Sequence, residues 1–200
     1  MNKPETDKIG LFGGTFDPVH IGHLIVAEWV QDALNLHKVF FIPNYMHPFG
    51  KRKNITSPEK RLHMLNLALQ PFAQFEVCDY EIKKGGVSYS IDTIEYFQTT
   101  FPASPLYYFI GADNLPEFHR WHRYRDILEK VQLVVYDRKE GHLPSDLPAE
   151  RILFLKTPLI EISSTLIRER IGQGHAVQSL LPFGVWQYIR DNKLYGMKEK

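Results

Sequence analysis

The sequence predicts an α/β fold: an open parallel sheet, doubly wound with helices on both faces, with a small helical portion at the C-terminus. Three observations predict it. Short runs rich in Val, Ile and Phe alternate with stretches whose apolar residues recur at helical spacing, the pattern of strands buried on both faces by crossover helices. The first run ends in a glycine pair, Gly13 and Gly14, just before a helical stretch, as a tight strand-to-helix turn requires. Hydrophobic residues are 44% and charged residues 24% of the 200, the balance of a globular chain and not of a disordered or fibrous one.

Residues 9–12 form the first strand, and a helix follows over 22–34. Residues 38–42 give a second strand, stopped by Pro43, which has no N–H to offer a ladder. Ser57 and Pro58 open the next helix as N-cap and first helical residue, with Leu62, Leu65 and Leu69 recurring along one side. Strands are predicted over 75–78, 106–110, 132–136 and 151–155, with helices over 91–97 and 124–130 between them. Short helices over 163–171 and 183–191 complete the pattern. The loosest connections are 44–55 and 140–150, and the sequence contains no internal repeat or low-complexity linker. Residues 1–200 are expected to form one domain. Its crossovers should be right-handed, and its ligands belong at the C-terminal ends of the strands.

Charge narrows the partners. Lys plus Arg is 24 against 23 for Asp plus Glu, a formal charge of +1. Such a chain has no global field with which to coat nucleic acid or an anionic membrane, so any anion site is local. Cys78 is the sole cysteine and cannot form an internal disulfide. No apolar run approaches the ~18–20 residues of a membrane span. Residues 1–8 are polar and mixed in charge, unlike a signal or transit peptide, so a cytoplasmic chain is expected. Homo-oligomerisation is left open.

The chemistry concentrates in two runs. The first is Gly13-Gly14-Thr15-Phe16-Asp17-Pro18-Val19-His20-Ile21-Gly22-His23. Glycines let backbone approach a ligand, and a helix start offers unpaired N–H groups to an anion. His20 and His23, three apart, project from one face of the first turn, and Gly22 between them leaves room for a bulky ligand. Two imidazole donors there suit a polyphosphate on which negative charge grows. Taken alone, the pair reads more readily as an ordinary cap or an incomplete metal site than as a catalytic pair. The second run is Ile162-Ser163-Ser164-Thr165-Leu166-Ile167-Arg168-Glu169-Arg170. It sets three hydroxyls at a helix start, with Arg168 one turn beyond Ser164, a second phosphate cradle.

The first run resembles the signature of the nucleotidyltransferase superfamily, with its H/T-x-G-H motif. The second resembles that superfamily's I-S-S-T-x-I-R motif, which implies a grip on the β- and γ-phosphates of ATP and a Rossmann-like sheet. Over nearly the whole chain the pattern is similar to the nicotinate/nicotinamide mononucleotide adenylyltransferases. Gly86-Val87-Ser88-Tyr89-Ser90-Ile91-Asp92-Thr93 resembles their G-x-S-Y-T-x-D-T, with Ser90 for the usual Thr. Gly111-Ala112-Asp113 with Trp121 downstream resembles their G-x-D and tryptophan. The run from Pro182 through Val185 and Tyr188 to Ile189 resembles their terminal helix.

The resemblance implies His20, His23 and Arg168 as catalytic residues. It implies ATP contacts at Gly13, Gly14, Thr15, Phe16, Gly22, Ser163, Ser164 and Thr165. It implies mononucleotide contacts at Asn44, Ser88, Tyr89, Ser90, Asp113, Trp121 and His122. Mg²⁺ would arrive with ATP, with no dedicated protein metal site. Asp17 reads as a turn-stabilising residue before Pro18, and Arg61 as a further phosphate candidate. After the second strand the family usually carries P-N-x-x-P-P-H-K, whereas this chain has Phe49 and Gly50 where histidine and the basic residue stand. His47 and Lys51–Lys53 offer charge nearby. The implied activity is adenylyl transfer from ATP to nicotinate mononucleotide, or to its nicotinamide analogue. Two alternatives are a phosphopantetheine adenylyltransferase and a non-catalytic nucleotide sensor.

Overall fold

The computed structural model describes residues 7–50, 55–137, 147–158 and 160–197. The expected run Lys51–Lys53 and most of the 140–150 connection lie outside them. Six strands, β1 (Ile9–Gly14), β2 (Lys38–Pro43), β3 (Phe75–Val77), β4 (Leu106–Gly111), β5 (Gln132–Asp137) and β6 (Ile152–Lys156), form one sheet in the order β3-β2-β1-β4-β5-β6. Every pairing is parallel. The helices are α1 (Ile21–Leu34), α2 (Pro58–Leu69), α3 (Tyr80–Lys84), α4 (Ser90–Thr100), α5 (Tyr124–Lys130), α6 (Ser164–Gly172) and α7 (Phe183–Asp191). None of the described helices is long and apolar enough to cross a membrane.

Alternation along each strand supplies two cores. Phe12, Val39, Phe41, Phe109 and Val134 face one side, against Leu24 and Ala27 of α1, Met64 and Leu65 of α2, Ile167 of α6 and Val185 of α7. Leu11, Phe40, Ile42, Tyr108, Ile110 and Leu133 face the other, against Ile91 and Phe97 of α4 and Ile127 of α5. Each fully buried side chain of this size contributes about 1.5–3 kcal/mol. Two elements beside the site are absent from the sequence reading, as are three short 3-10 turns elsewhere among the described residues. α3 is a single short turn, too brief for periodicity to register. A 3-10 helix over Ala112–Arg120 carries Pro116 inside it, which disfavours an α-helical reading. The Ser57 cap is also different: its side chain meets the Glu59 carboxylate and makes no bond to the first-turn N–H groups.

The site begins where the strand order reverses. β1 and β4 pair only as far as Leu11 and Tyr108, although β1 runs on to Gly14 and β4 to Gly111. The two strands part there and open a crevice at the carboxyl ends of the sheet. The loops around it are held by Arg61 of α2, whose side chain is fully buried. Its Nε donates to the Thr56 carbonyl at 3.0 Å, one terminal nitrogen to the Thr15 carbonyl at 2.8 Å and to Asn44 Oδ1 at 3.3 Å, and the other to the carbonyls of Asn44 at 2.7 Å and Tyr45 at 3.4 Å. All five N–H groups are thereby used, so Arg61 is a staple between loops, in place of the phosphate ligand the sequence suggested. Burial works against its charge, while Asp17 supports it.

Removing this guanidinium strands several buried carbonyls and the nearby Asp17 charge. Arg61→Met is expected to cost about 3–5 kcal/mol and to lower Tm by roughly 6–20 °C. Thermal unfolding of the variant beside the parent chain measures this; a shift within error would mean the loops are held by other means.

Candidate active site

Two cavities flank the crevice and share Gly111 and Tyr136 as common wall. The first, about 490 Å³, is lined by Gly13, Gly14 and Thr15 at the end of β1, by Asn44, His47 and Phe49 after β2, by Ser88, Tyr89 and Ser90, and by Trp121 and His122. The second, about 470 Å³, is lined by His20, Gly22 and His23 at the start of α1, by Asp113 and by Ser163, Ser164 and Thr165 at the start of α6. Both volumes lie within the range of small-ligand sites.

The second cavity is built on imidazoles. The His20 and His23 rings stack with centroids 3.7 Å apart. Gly22 permits this, because a Cβ there would sit 3.1 Å from the His20 ring. The His20 backbone N–H donates to His23 Nδ1 at 3.2 Å, which leaves Nε2 of His23 as its N–H donor. Burial, with the His20 imidazole beside it, holds the His23 pKa well below the ordinary histidine value. His23 is therefore a neutral hydrogen-bond donor at neutral pH.

The hydroxyl run is tied to the glycine loop. Ser163 Oγ caps α6 by accepting from the Leu166 N–H at 3.1 Å, and Ser164 Oγ donates to the Pro18 carbonyl at 2.8 Å. Arg168 donates to the Asp17 carbonyl at 2.6 Å and to Thr165 Oγ1 at 3.1 Å. Asp17 is buried and anchored by its own carboxylate, which accepts from the Tyr195 hydroxyl at 2.7 Å and the Thr56 N–H at 3.3 Å.

Two chain segments meet to form the first cavity. Met46 and Val87 form an isolated parallel bridge, the Ser88 N–H donates to the Met46 carbonyl, and the Tyr45 N–H donates to Ser88 Oγ, both at 2.9 Å. Ser90 Oγ and the Tyr108 hydroxyl lie 2.9 Å apart. That hydroxyl occupies the gap beside Gly13, where a Cβ would lie 2.5 Å from it. His122 packs on Tyr89 with centroids 4.6 Å apart, and Trp121 meets Tyr108 edge-on at 6.2 Å.

Most expected site residues are brought together, with differences. Gly13, Gly14 and Thr15 line the first cavity, not the histidine cavity. Asp113 lines the second cavity, not the first. Phe16 lines neither: it is buried, takes φ of 49°, and packs its ring 5.0 Å from that of His23. Arg168 reaches the cavity's surroundings through Thr165. Sequence reasoning missed Tyr108 and Tyr136, which sit inside apolar strand runs and read there as core. It also missed Glu81, a buried carboxylate on the first cavity that accepts from Thr93 Oγ1 at 2.6 Å and whose pKa burial raises.

Comparison with known proteins follows the same lines. A family model described as "Cytidylyltransferase-like" matches residues 11–170. A Thermotoga maritima protein named "Probable nicotinate-nucleotide adenylyltransferase" is 41% identical over 183 residues, covering 88% of this chain and 87% of its own. A Methylacidiphilum infernorum protein of the same name is 35% identical over 195 residues, covering 98% and 95%. Among solved structures, Plasmodium falciparum nicotinic acid mononucleotide adenylyltransferase complexed with NaAD superposes with a TM-score of 0.79 at 15% identity, covering 96% of this chain and 98% of that one.

The lowered His23 pKa has a measurable sign. An unfolded histidine titrates near ~6.5, so on acidification the unfolded chain binds this proton before the folded chain does, and stability falls as pH drops below that value. His23→Gln is expected to flatten the loss of Tm between about pH 7 and pH 5. A Tm–pH curve parallel to the parent's would place the acid sensitivity elsewhere.

Proposed function

The chain belongs to the cytidylyltransferase-like family and, within it, to the nicotinate-nucleotide adenylyltransferases, and from that premise we propose that it transfers the adenylyl group of ATP to nicotinate mononucleotide in NAD biosynthesis. The observation that carries this reading is the pair of cavities meeting at Gly111 and Tyr136, one with aromatic walls and one with imidazole and hydroxyl walls. ATP takes the second cavity and the pyridine nucleotide the first, with the ring near Trp121 and Tyr89, since an electron-poor ring packs well on electron-rich aromatic faces. A cytoplasmic setting accompanies this reading of its substrates.

An oxygen of the mononucleotide 5′-phosphate attacks the α-phosphorus of ATP. The new O–P bond forms as the bond from α-phosphorus to its bridging oxygen breaks, and pyrophosphate leaves. The attacking phosphate is already ionised at neutral pH, with a second pKa near ~6, so no protein base is required. The chain contributes alignment and charge stabilisation. His23, as a neutral Nε2–H donor, and His20 meet charge growing on the bridging and leaving oxygens. The starting turn of α6 and Arg168 orient the pyrophosphate. Mg²⁺ comes as part of the MgATP substrate, held by phosphate oxygens and water and shielding their charge. Asp113, the one carboxylate among the described residues lining the second cavity, would be the side chain placed to meet it.

Pyrophosphate release from MgATP tests the reading, with nicotinate mononucleotide, nicotinamide mononucleotide and phosphopantetheine as parallel acceptors. Turnover with a pyridine nucleotide, nicotinate preferred, is expected. Activity on phosphopantetheine alone would give the right chemistry with the wrong acceptor, and silence with all three would leave a nucleotide sensor. His23→Ala is expected to lower kcat roughly 10²–10³-fold, about 2.7–4 kcal/mol, with little change in KM for ATP. Trp121→Ala should raise KM for the mononucleotide and spare ATP; equal loss for both would make the indole structural.

A further inference from the structure

The first cavity has an unusual charge balance for a site that takes an anion. Its described lining carries two carboxylates, Glu81 and Glu117, and one permanently charged cation, Arg120, beside His47 and His122. Glu81 is met by the hydroxyls of Thr93 and Ser88 and by the nearby Lys84 charge. Arg61 gives all its donors to the chain itself. An incoming pyridine mononucleotide brings a phosphate dianion, and in the acid form a ring carboxylate as well, against the single positive charge of its pyridinium ring. Among the described lining residues Arg120 is the one fixed positive charge that can meet these anionic groups, and matched charge of this kind selects the right ligand.

Arg120 is held where such a cation is needed. It ends the 3-10 helix over Ala112–Arg120 and immediately precedes Trp121. One terminal nitrogen donates to Glu117 Oε1 at 3.1 Å, and the guanidinium carbon stands 5.4 Å from the centre of the Phe49 ring. A carboxylate on one edge and an aromatic face below favour one plane for this half-exposed guanidinium, whose other edges carry further N–H groups. The stack also joins the loop after β2 to the wall that carries Trp121.

Resting on the adenylyltransferase reading, we infer that Arg120 binds an anionic group of the acceptor nucleotide, with Glu117 and Phe49 as the residues that position it. A contact to an anionic group of the acceptor is made in the substrate complex already, so its loss acts chiefly on KM.

Steady-state kinetics of Arg120→Met, which keeps much of the side-chain length, test this with both pyridine mononucleotides. KM for the acceptor should rise about 10–100-fold, the range of a lost charged hydrogen bond, with KM for ATP unchanged and no comparable fall in kcat. Arg120→Lys should restore part of the loss. An equal rise for the acid and the amide assigns the contact to the 5′-phosphate, and a rise confined to the acid assigns it to the ring carboxylate. Unchanged KM for both acceptors, or a parallel rise for ATP, overturns the inference. If the parent chain turns over neither acceptor, the enzymatic reading fails separately. Calorimetric titration of nicotinate mononucleotide then decides Arg120: weaker binding to the variant upholds it, while equal binding or none by the parent overturns it.

Discussion

A guanidinium removed from water must find an oxygen for every N–H, and Arg61 finds its oxygens in the loops that end β1 and β2 and in the turn before α2. Those loops face the crevice, where backbone carbonyls have no neighbouring strand to receive them. One side chain from α2 satisfies carbonyls from three segments, and burial makes each bond strong and each vacancy costly. Asp17, buried beside it, extends the knot. Its carboxylate takes the Tyr195 hydroxyl from the C-terminal turn, and its carbonyl takes Arg168 from α6. Segments from both ends of the chain thus converge on residues 15–18, and the glycine loop between the cavities is fixed before any ligand enters.

That rigidity suits a reaction in which both partners bring their own reactive atoms. An ionised phosphate attacks a phosphorus with a good leaving group, so the protein needs geometry and correctly placed donors more than a nucleophile or base. A neutral His23 fits this. Its proton is aimed by the bond that the His20 backbone makes to Nδ1, and its burial keeps the ring from charging in the absence of ligand. The parting of β1 and β4 beyond Leu11 and Tyr108 leaves two chambers with one shared wall, one for each substrate in the proposed reading.

Much of the architecture is legible in the sequence because burial on both faces of a parallel sheet leaves near-continuous apolar runs. Residues 9–12, 38–42, 106–110 and 132–136 read as strands for that reason and are strands. The glycine-histidine and serine-arginine runs are legible too, being local in the chain and dense in chemistry. What the sequence conceals depends on distant contacts. Arg61 resembles any helix-surface arginine until the carbonyls of Thr15 and Asn44 are seen around it. Tyr108 and Tyr136 lie in strand-like runs, so their places beside Gly13 and between the cavities are invisible. Asp113 follows the first-cavity wall in sequence, yet lies on the other side because the chain turns into a 3-10 helix at Ala112.

In the proposed reading the two halves of the dinucleotide product occupy the two cavities and are joined across the wall formed by Gly111 and Tyr136. A crystal structure of the chain with nicotinate adenine dinucleotide tests it most directly. The pyridine ring is expected in the first cavity against Trp121 and Tyr89, the adenosine in the second, and the diphosphate beside His20 and His23. Both halves in one cavity, or a diphosphate remote from the histidine pair, would contradict it.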